Sequence, residues 1–189
     1  MLFDSLPASS HPRFTFRPIL REDLSPWAHY LNLPEVFEHT SWDHPRRDEL
    51  ASYLGNETDR SPSSLLRLAI ARRVDGHFVG TIGFHTVRPD DRCAELAYDL
   101  APAFWGQGIV TCLGAELVAW AHADPGLRRV QATVLWSNTR SIAALERLGF
   151  VRERLLPGHR MVRGSPGDFH LYAHVTMPPI AGDAAESRP

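Results

Sequence analysis

The most constraining feature of the sequence is a β-strand pattern that leads through a glycine-bearing turn into a helix pattern. Residues 94–100 read as a strand, and residues 105–108 have the sequence Trp-Gly-Gln-Gly. From residue 106 to residue 123 the apolar side chains recur at helical spacing, and an Asp-Pro-Gly breaker follows at 124–126. A further strand pattern covers residues 129–136. This order predicts a pair of parallel strands connected by a crossover helix.

The remaining patterns predict one domain that mixes strands and helices. Two strand patterns, 66–71 and 78–85, flank Asp75-Gly76, a dipeptide that favours a tight hairpin. The other predicted elements are strands at 14–19, 150–155 and 168–176, and helices at 21–31, 46–55 and 138–148. The order β-α-α-β-β-β-α-β-α-β-β favours an α+β fold with one mostly antiparallel sheet.

The domain is expected to cover residues 13–176, after a loosely held lead-in at 1–12 and before a disordered tail at 177–189. Two segments, 34–44 and 155–168, have no clean period and are expected to be irregular.

Composition restricts the possible partners and the location of the chain. Its 189 residues include 20 basic and 22 acidic side chains, for a formal charge of −2. This balance provides no general field for nucleic acid or for an anionic membrane, so neither partner is expected. The first 12 residues lack a signal-peptide pattern, and no run approaches the roughly 18 apolar residues of a spanning helix. We expect a cytoplasmic monomer or homodimer, with Cys93 and Cys112 buried in apolar segments.

The turn at 105–108 has the properties of an anion-binding site. The first turn of a helix leaves backbone N–H groups unpaired, and the helix dipole is positive there. Gly106 and Gly108 would let a phosphate approach the main chain closely. Taken alone, the glycine pair is equally compatible with a plain strand-to-helix turn. The absence of G-x-G-x-x-G and of a Walker lysine disfavours dinucleotide and P-loop sites.

Two motifs resemble those of the GNAT superfamily of N-acyltransferases. Residues 105–110, Trp-Gly-Gln-Gly-Ile-Val, are similar to its pyrophosphate loop Q/R-x-x-G-x-G/A. Residues 138–141, Asn-Thr-Arg-Ser, and then 145–150, Leu-Glu-Arg-Leu-Gly-Phe, are similar to its second signature, N-x-x-S/A followed by x-E-K/R-L-G-F. Tryptophan at the first position of the loop resembles the Rim-type branch, which includes ribosomal-protein N-terminal acetyltransferases. The resemblance covers about residues 13–176.

The resemblance implies a fold, a co-substrate and a reaction. The fold is a mixed, mostly antiparallel sheet of six or seven strands, splayed at its centre, with helices on both faces. The reaction is direct transfer of an acetyl group from acetyl-CoA to a primary amine, either a protein N-terminus or a small molecule, without a metal. The coenzyme contacts that it implies are Leu100, Gly106, Gln107, Gly108, Ile109, Val110, Thr111, Asn138 and Ser141.

Two positions depart from the family pattern. Val110 stands where the family prefers a small residue, and Leu145 stands where many relatives carry the tyrosine that protonates the departing thiolate. Absence of that tyrosine is frequent in the Rim-type branch. These departures keep open an alternative function, a CoA-binding module without turnover, and the glycine turn keeps open a nucleotide-binding regulator.

Glu95 and Ser141 are the candidate catalytic residues. Glu95 lies on the strand before the loop and would accept the amine proton through water, unless it is a surface carboxylate. Ser141 would protonate the sulfur or serve as a coenzyme contact alone. The candidates for lining the acceptor pocket, each with a packing or loop role as the alternative, are Trp42, His44, His85 and His170. Because no H-E-x-x-H or C-x-x-C occurs, no metal site is expected.

Overall fold

The computed structural model describes residues 5–41, 43–58, 65–123 and 126–176. They form a seven-stranded sheet of order β1-β2-β3-β4-β5-β7-β6. The strands are Phe14–Arg17 (β1), Leu66–Arg72 (β2), Phe78–Arg88 (β3), Cys93–Leu100 (β4), Arg129–Leu135 (β5), Val151–Val162 (β6) and Ser165–Val175 (β7). The α-helices are Leu24–Leu31 (α1), Pro34–Phe37 (α2), Arg47–Leu50 (α3), Ile109–Ala123 (α4) and Thr139–Arg147 (α5). The predicted α+β fold is therefore confirmed.

The two central strands are the irregular part of the sheet. β4 and β5 run parallel, whereas the other neighbouring strands pair antiparallel. Residues Cys93–Glu95 pair with Arg129–Gln131, and within the described chain the pairing of β4 with β5 stops there. The strands then part, so the sheet is splayed at its centre as expected.

Helices cover both faces of the sheet. Helices α4 and α5 pack on one face over a core that includes Leu68, Leu113 and Val130, and helices α1 to α3 pack on the other around Trp27 and Leu50. Strand β2 is buried along nearly its whole length, because both of its faces are covered. This double burial explains why its sequence reads as a continuous apolar run rather than as an alternation.

The segment 155–168, expected to be irregular, is instead the end of a long hairpin formed by β6 and β7. Its turn places Arg163 at φ 49° and Gly164 at φ 76°. Most of β6 is exposed, since it is the edge strand, so its sequence lacks the apolar alternation that marks a half-buried strand. An arginine at a left-handed turn position is also a weak hairpin signal.

Two further expectations need correction. The segment 34–44 contains a one-turn helix, α2, which begins at Pro34, a residue that suits the first position of a helix. Cys112 is exposed, because it lies on the side of α4 that faces away from the core, whereas Cys93 is buried as expected. The predicted tail at 177–189 lies outside the described residues. Of the helices within the described ranges, none is both long enough and apolar enough to cross a membrane.

Gly83 is expected to be indispensable for the pairing of β2 with β3. A Cβ atom at this position would lie 1.9 Å from the carbonyl oxygen of Leu66, which is backbone and has no room to move aside. Gly83→Ala should therefore cost about 3 kcal/mol or more and lower the Tm by roughly 6–12 °C in a thermal melt. Thr86→Ala, at an exposed position of the same strand, is the control. Equal melting temperatures for the two variants would contradict this packing.

Candidate active site

A cavity of about 840 Å³ opens where β4 ends, between the start of α4 and the start of α5. The walls contain residues from the end of β4, from the turn after it, and from the first turns of both helices. Members of this lining include Tyr98, Leu100, Trp105, Gly106, Gly108, Ile109, Val110, Thr111, Asn138, Arg140, Ser141 and Arg147. Most of the coenzyme contacts that the sequence implied therefore meet at one cavity.

The glycine turn presents its backbone to this cavity. Gly106 has φ 71° and Gly108 has φ 72°, and a Cβ atom built on either would meet nothing within 4 Å. The space in front of the turn is therefore open. The hydrogen bonds of α4 begin with the Cys112 N–H, which donates to the Gly108 carbonyl at 2.9 Å. The amides of the preceding turn have no helical acceptor, as at any helix start, so they are available to hydrogen-bond an anion.

Trp105 connects the end of β4 to α5. Its indole N–H donates to the Leu100 carbonyl at 2.9 Å, and the Arg140 guanidinium lies 3.8 Å from the centre of its ring. Gln107 belongs to the turn but does not line the cavity. Its side-chain amide donates to the Ala103 carbonyl at 3.0 Å. These contacts fix the turn in place on both sides.

Asn138 caps α5 and ties it to the segment after α2. Its side-chain oxygen accepts from the Ser141 N–H at 3.0 Å, and its side-chain N–H donates to the His39 carbonyl at 2.9 Å. Both polar atoms of the amide are therefore already engaged. This geometry gives Asn138 a positioning role for Ser141.

Tyr98 is the important residue that sequence reasoning missed. Its hydroxyl accepts from Ser141 Oγ at 2.8 Å and donates to the Ser141 carbonyl at 3.2 Å. Burial raises the pKa of Tyr98 to about 12, with the hydrogen bond from Ser141 opposing the shift, so the phenol stays protonated at neutral pH. The strand alternation of β4 puts Tyr98 on the face of Leu96 and Leu100, and that alternation was the available signal.

A second cavity, of about 300 Å³, adjoins the first and is lined by residues of both β4 and β5. Both cavities are lined by His39, Thr40, Tyr98, Asp99, Asn138 and Ser141. These six residues mark the junction between the cavities. Two ligands, one in each cavity, would meet at the Tyr98 and Ser141 hydroxyls.

Glu95 is buried and is the last residue of β4 that pairs with β5. Its Oε1 accepts from Thr133 Oγ1 at 2.5 Å and from Arg160 at 3.0 Å, and it lies 3.5 Å from His85 Nε2. Burial opposes ionisation, but the Thr133 hydrogen bond and the charges of His85 and Arg160 outweigh it, so the pKa of Glu95 lies below its ordinary value. The second cavity is lined by three residues that contact or neighbour Glu95, namely His85, Arg160 and Thr133. Glu95 itself is not among the described residues that line it.

The Acetyltransferase (GNAT) domain family matches residues 13–151, a range that includes the glycine turn, both central strands and α5. The chain belongs to the GNAT acetyltransferase family. This match confirms the resemblance inferred from the two motifs. Rim-type ribosomal-protein acetyltransferases are among the relatives of this GNAT chain.

Two curated relatives come from Bacillus subtilis (strain 168). "Uncharacterized N-acetyltransferase YoaA" is 32% identical over 110 residues, which span 58% of this chain and 62% of YoaA. "Putative ribosomal N-acetyltransferase YdaF" is 32% identical over 99 residues, which span 52% of this chain and 54% of YdaF. The chain thus matches less than two thirds of the length of each relative.

A solved structure shows the same fold over nearly the whole GNAT domain. "Microcin C7 self immunity acetyltransferase MccE in complex with Acetyl-CoA and AMP" superposes with a TM-score of 0.76 at 20% identity, covering 90% of this chain and 98% of that chain. At this identity the likeness establishes the fold, and the family match establishes that the chain carries a GNAT acetyltransferase domain.

Two of the candidate acceptor residues, His44 and His170, line neither cavity of this GNAT site in the described structure. His44 is exposed, stacks on Phe37 with ring centres 4.0 Å apart, and lines neither cavity. His170 shares a face of β7 with Tyr172, on the α5 side of the sheet, and it lines neither cavity. Trp42 lies outside the described residues. Of the four candidates, His85 lines the second cavity.

Asn138 is expected to stabilise the site through the helix cap. Asn138→Ala removes both side-chain hydrogen bonds and should lower the free energy of unfolding by about 1 kcal/mol. Asn138→Asp keeps an oxygen for the Ser141 N–H and loses only the donor to His39, so it should lose less. Urea unfolding of the two variants measures the difference. If the aspartate variant loses as much as the alanine variant, the cap is not what Asn138 contributes.

Proposed function

We propose that the chain transfers the acetyl group of acetyl-CoA to a primary amine, with the coenzyme in the first cavity and the amine in the second. The observation that carries this proposal is the open space in front of the Gly106–Gly108 turn, from which a cavity runs continuously to the junction.

The proposed coenzyme position follows from the backbone groups that are free. The amides of Ile109, Val110 and Thr111 would hold the diphosphate, since they precede the first helical hydrogen bond of α4. Val110 is buried against the core, so its large side chain does not obstruct the amides. The edge of β4 beyond Glu95, which is not paired with β5, would pair with the pantetheine amides in the manner of an added strand.

The proposed chemical step takes place at the junction. The neutral amine attacks the thioester carbonyl, a C–N bond forms, and the C–S bond breaks to release the CoA thiolate. Tyr98 and Ser141 supply two adjacent hydroxyls there. The Tyr98 O–H would turn from the Ser141 carbonyl to donate to the departing sulfur, while Ser141 continues to donate to the Tyr98 oxygen. These hydroxyls stand in for the tyrosine that Leu145 replaces, because Leu145 is buried and carries no proton donor.

The proton lost by the amine would pass to His85, with Glu95 acting through it. His85 lines the acceptor cavity, and burial lowers its pKa below the ordinary value, so its imidazole is neutral at pH 7 and can accept a proton. Glu95, 3.5 Å away, is ionised and would stabilise the imidazolium as it forms. The predicted role of Glu95 as a base through water is thus refined to a role through His85.

We propose two classes of acceptor, a protein N-terminus and a small-molecule amine. YdaF is named a putative ribosomal N-acetyltransferase, and this name favours a protein N-terminus. The MccE structure was solved with AMP beside acetyl-CoA, and that pairing favours a small molecule.

The direct test of the proposed function is release of free thiol from acetyl-CoA in the presence of a broad panel of amines, with the acetylated amine identified by mass spectrometry. Amine-dependent release supports acetyl transfer. Calorimetric binding of CoA without release on any amine would indicate a CoA-binding module instead, and no binding would contradict both functions.

Gly108→Val is expected to weaken CoA binding by at least tenfold. Its branched side chain would occupy the open space in which the diphosphate is proposed to lie, next to the unpaired amides. Gly164→Val is the matched control, since Gly164 also has a left-handed φ, 76°, and open space around it, but lies in the β6–β7 turn. Calorimetric titration of both variants with CoA measures the effect. Equal affinities would contradict the proposed diphosphate site.

The pH dependence of kcat/KM is expected to reflect the protonation of His85. Below its lowered pKa the imidazole is protonated, so kcat/KM should fall on the acid side, at a pH below the reference histidine value of about 6.5. His85→Gln should abolish this limb and reduce kcat by about 10²–10⁴. His44→Gln, which removes a histidine outside both cavities, should keep the wild-type profile. A wild-type limb in the His85 variant would exclude His85 as the base.

The pH profile of kcat/KM also tests the proposed action of Glu95 through His85. Its carboxylate raises the pKa of His85 against the effect of burial, so Glu95→Gln should move the acid limb to lower pH and reduce turnover. An unchanged profile would remove Glu95 from the mechanism.

A further inference from the structure

The charged side chains that line the second cavity, where the acceptor is proposed to bind, differ in their accessibility. Among the described residues, its charged lining consists of Arg67, Asp99 and Arg160. Arg67 pairs with Asp99, and Arg160 pairs with Glu95, which lies behind the lining. Each ion pair has no net formal charge. A charged ligand is therefore attracted by the member of a pair whose side chain is accessible from the cavity.

Asp99 has no capacity left for a ligand. Its Oδ1 accepts hydrogen bonds from Trp27 Nε1 at 3.1 Å and from the Tyr30 hydroxyl. Its Oδ2 accepts from Thr81 Oγ1 at 2.7 Å and from the Arg67 guanidinium. The side chains of Asp99 and Arg67 are 7% and 6% exposed, so this pair is largely buried although both residues line the cavity.

Arg160 is the most exposed of the three charged side chains in this lining. Its side chain is 34% exposed, whereas that of its partner Glu95 is 8% exposed. Its hydrogen bonds to described residues all use one nitrogen, Nη2, which donates to Glu95 and lies 3.5 Å from His85. Nε and Nη1 together carry three more N–H groups, which can donate charge-assisted hydrogen bonds to a carboxylate.

Unpaired polar atoms gather at the same cavity. Buried side-chain atoms without a hydrogen-bond partner in the described structure include His39 Nδ1, Thr40 Oγ1 and His85 Nδ1, and all three residues line this cavity. Buried polar groups are satisfied in most native structures, so such a cluster indicates a polar ligand that supplies the missing partners.

We propose that the acceptor carries an anionic carboxylate next to its reacting amine, and that Arg160 binds this carboxylate while the amine faces His85. The assignment rests on the proposed acetyl transfer and specifies its substrate class. Polyamines and lysine-rich acceptors are disfavoured, because the described lining offers no free carboxylate to pair with a second ammonium group, and burying an unpaired charge is costly.

The size of the cavity suits a small acceptor group. About 300 Å³ holds one or two residues, so the carboxylate is either the α-carboxylate of a free amino acid or the acidic side chain near a peptide N-terminus. The chemistry of recognition by Arg160 is the same for both sources. The test therefore needs one arm for each.

The experiment compares kcat/KM within matched pairs of acceptors. One arm pairs free amino acids with their amides, and the other pairs Ala-Glu peptides with Ala-Gln peptides that are amidated at the C-terminus. Spermidine serves as the polyamine probe. We expect the acidic member to be preferred at least tenfold in one arm, which identifies the source of the carboxylate, and spermidine to be poorer than that acidic acceptor.

Arg160→Gln should bring this acid-to-neutral ratio to about one, and Arg160→Lys should leave an intermediate ratio, since lysine keeps the charge without the fork. The ratio compares two acceptors on the same variant, so a general loss caused by unpairing Glu95 cancels. Arg154→Gln is the control, because Arg154 is an exposed arginine of the same strand that lines neither cavity.

A wild-type ratio near or below one in both arms would overturn the proposal, as would a preference for spermidine or a ratio that survives in Arg160→Gln. The wild-type panel alone decides the matter if the glutamine variant does not fold. Failure to acetylate any amine would instead contradict the proposed acetyl transfer, so the two failures are distinguishable.

Discussion

The separation of β4 from β5 after Glu95 is the constraint on which the rest of the site depends. The two strands share a short run of parallel pairs and then part, and the gap contains the junction of both cavities. A continuous parallel pair would satisfy its own backbone groups and close that gap. Because the strands part, β4 has an edge available for another hydrogen-bonding chain, and side chains from both of its faces reach the same opening.

Side chains replace the missing strand pairing with specific polar contacts. Glu95 bonds to Thr133, just beyond the last pair of the two strands, and Tyr98 bonds to Ser141 at the start of α5. On the face of β4 opposite Tyr98, Asp99 accepts hydrogen bonds from α1, β2 and β3. Breaking such a buried ion pair by removing one partner typically costs 3–5 kcal/mol, so this cluster holds β4 firmly in its splayed position.

Local signals were sufficient to predict much of the fold. The Gly106–Gly108 turn, the Asp75-Gly76 hairpin and the caps of α5 depend on residues that are neighbours in sequence, and each was found in the predicted place. The hairpin of β6 and β7 was missed beyond Leu155, because an edge strand that is exposed on both faces has no apolar period. The exposure of Cys112 was missed because an apolar sequence neighbourhood does not reveal which side of a helix faces the core.

The acceptor side could not be predicted in the same way, because its contacts join residues far apart in the chain. Tyr98 and Ser141 are 43 residues apart, and Glu95 and Arg160 are 65 apart. Strand alternation assigns Glu95 and Tyr98 to opposite faces of β4, and only the parting of the sheet brings both faces to one opening. No spacing rule could therefore pair Glu95 with Arg160, or distinguish His85 from the other candidates His44 and His170.

A crystal structure with acetyl-CoA bound is the most direct test of the central claim. The account predicts diphosphate oxygens within hydrogen-bonding distance of the amides of Gly108–Thr111, pantetheine along the free edge of β4, and the thioester sulfur near the Tyr98 and Ser141 hydroxyls. A coenzyme bound elsewhere on the sheet, or one whose thioester lies away from the junction of the two cavities, would contradict it.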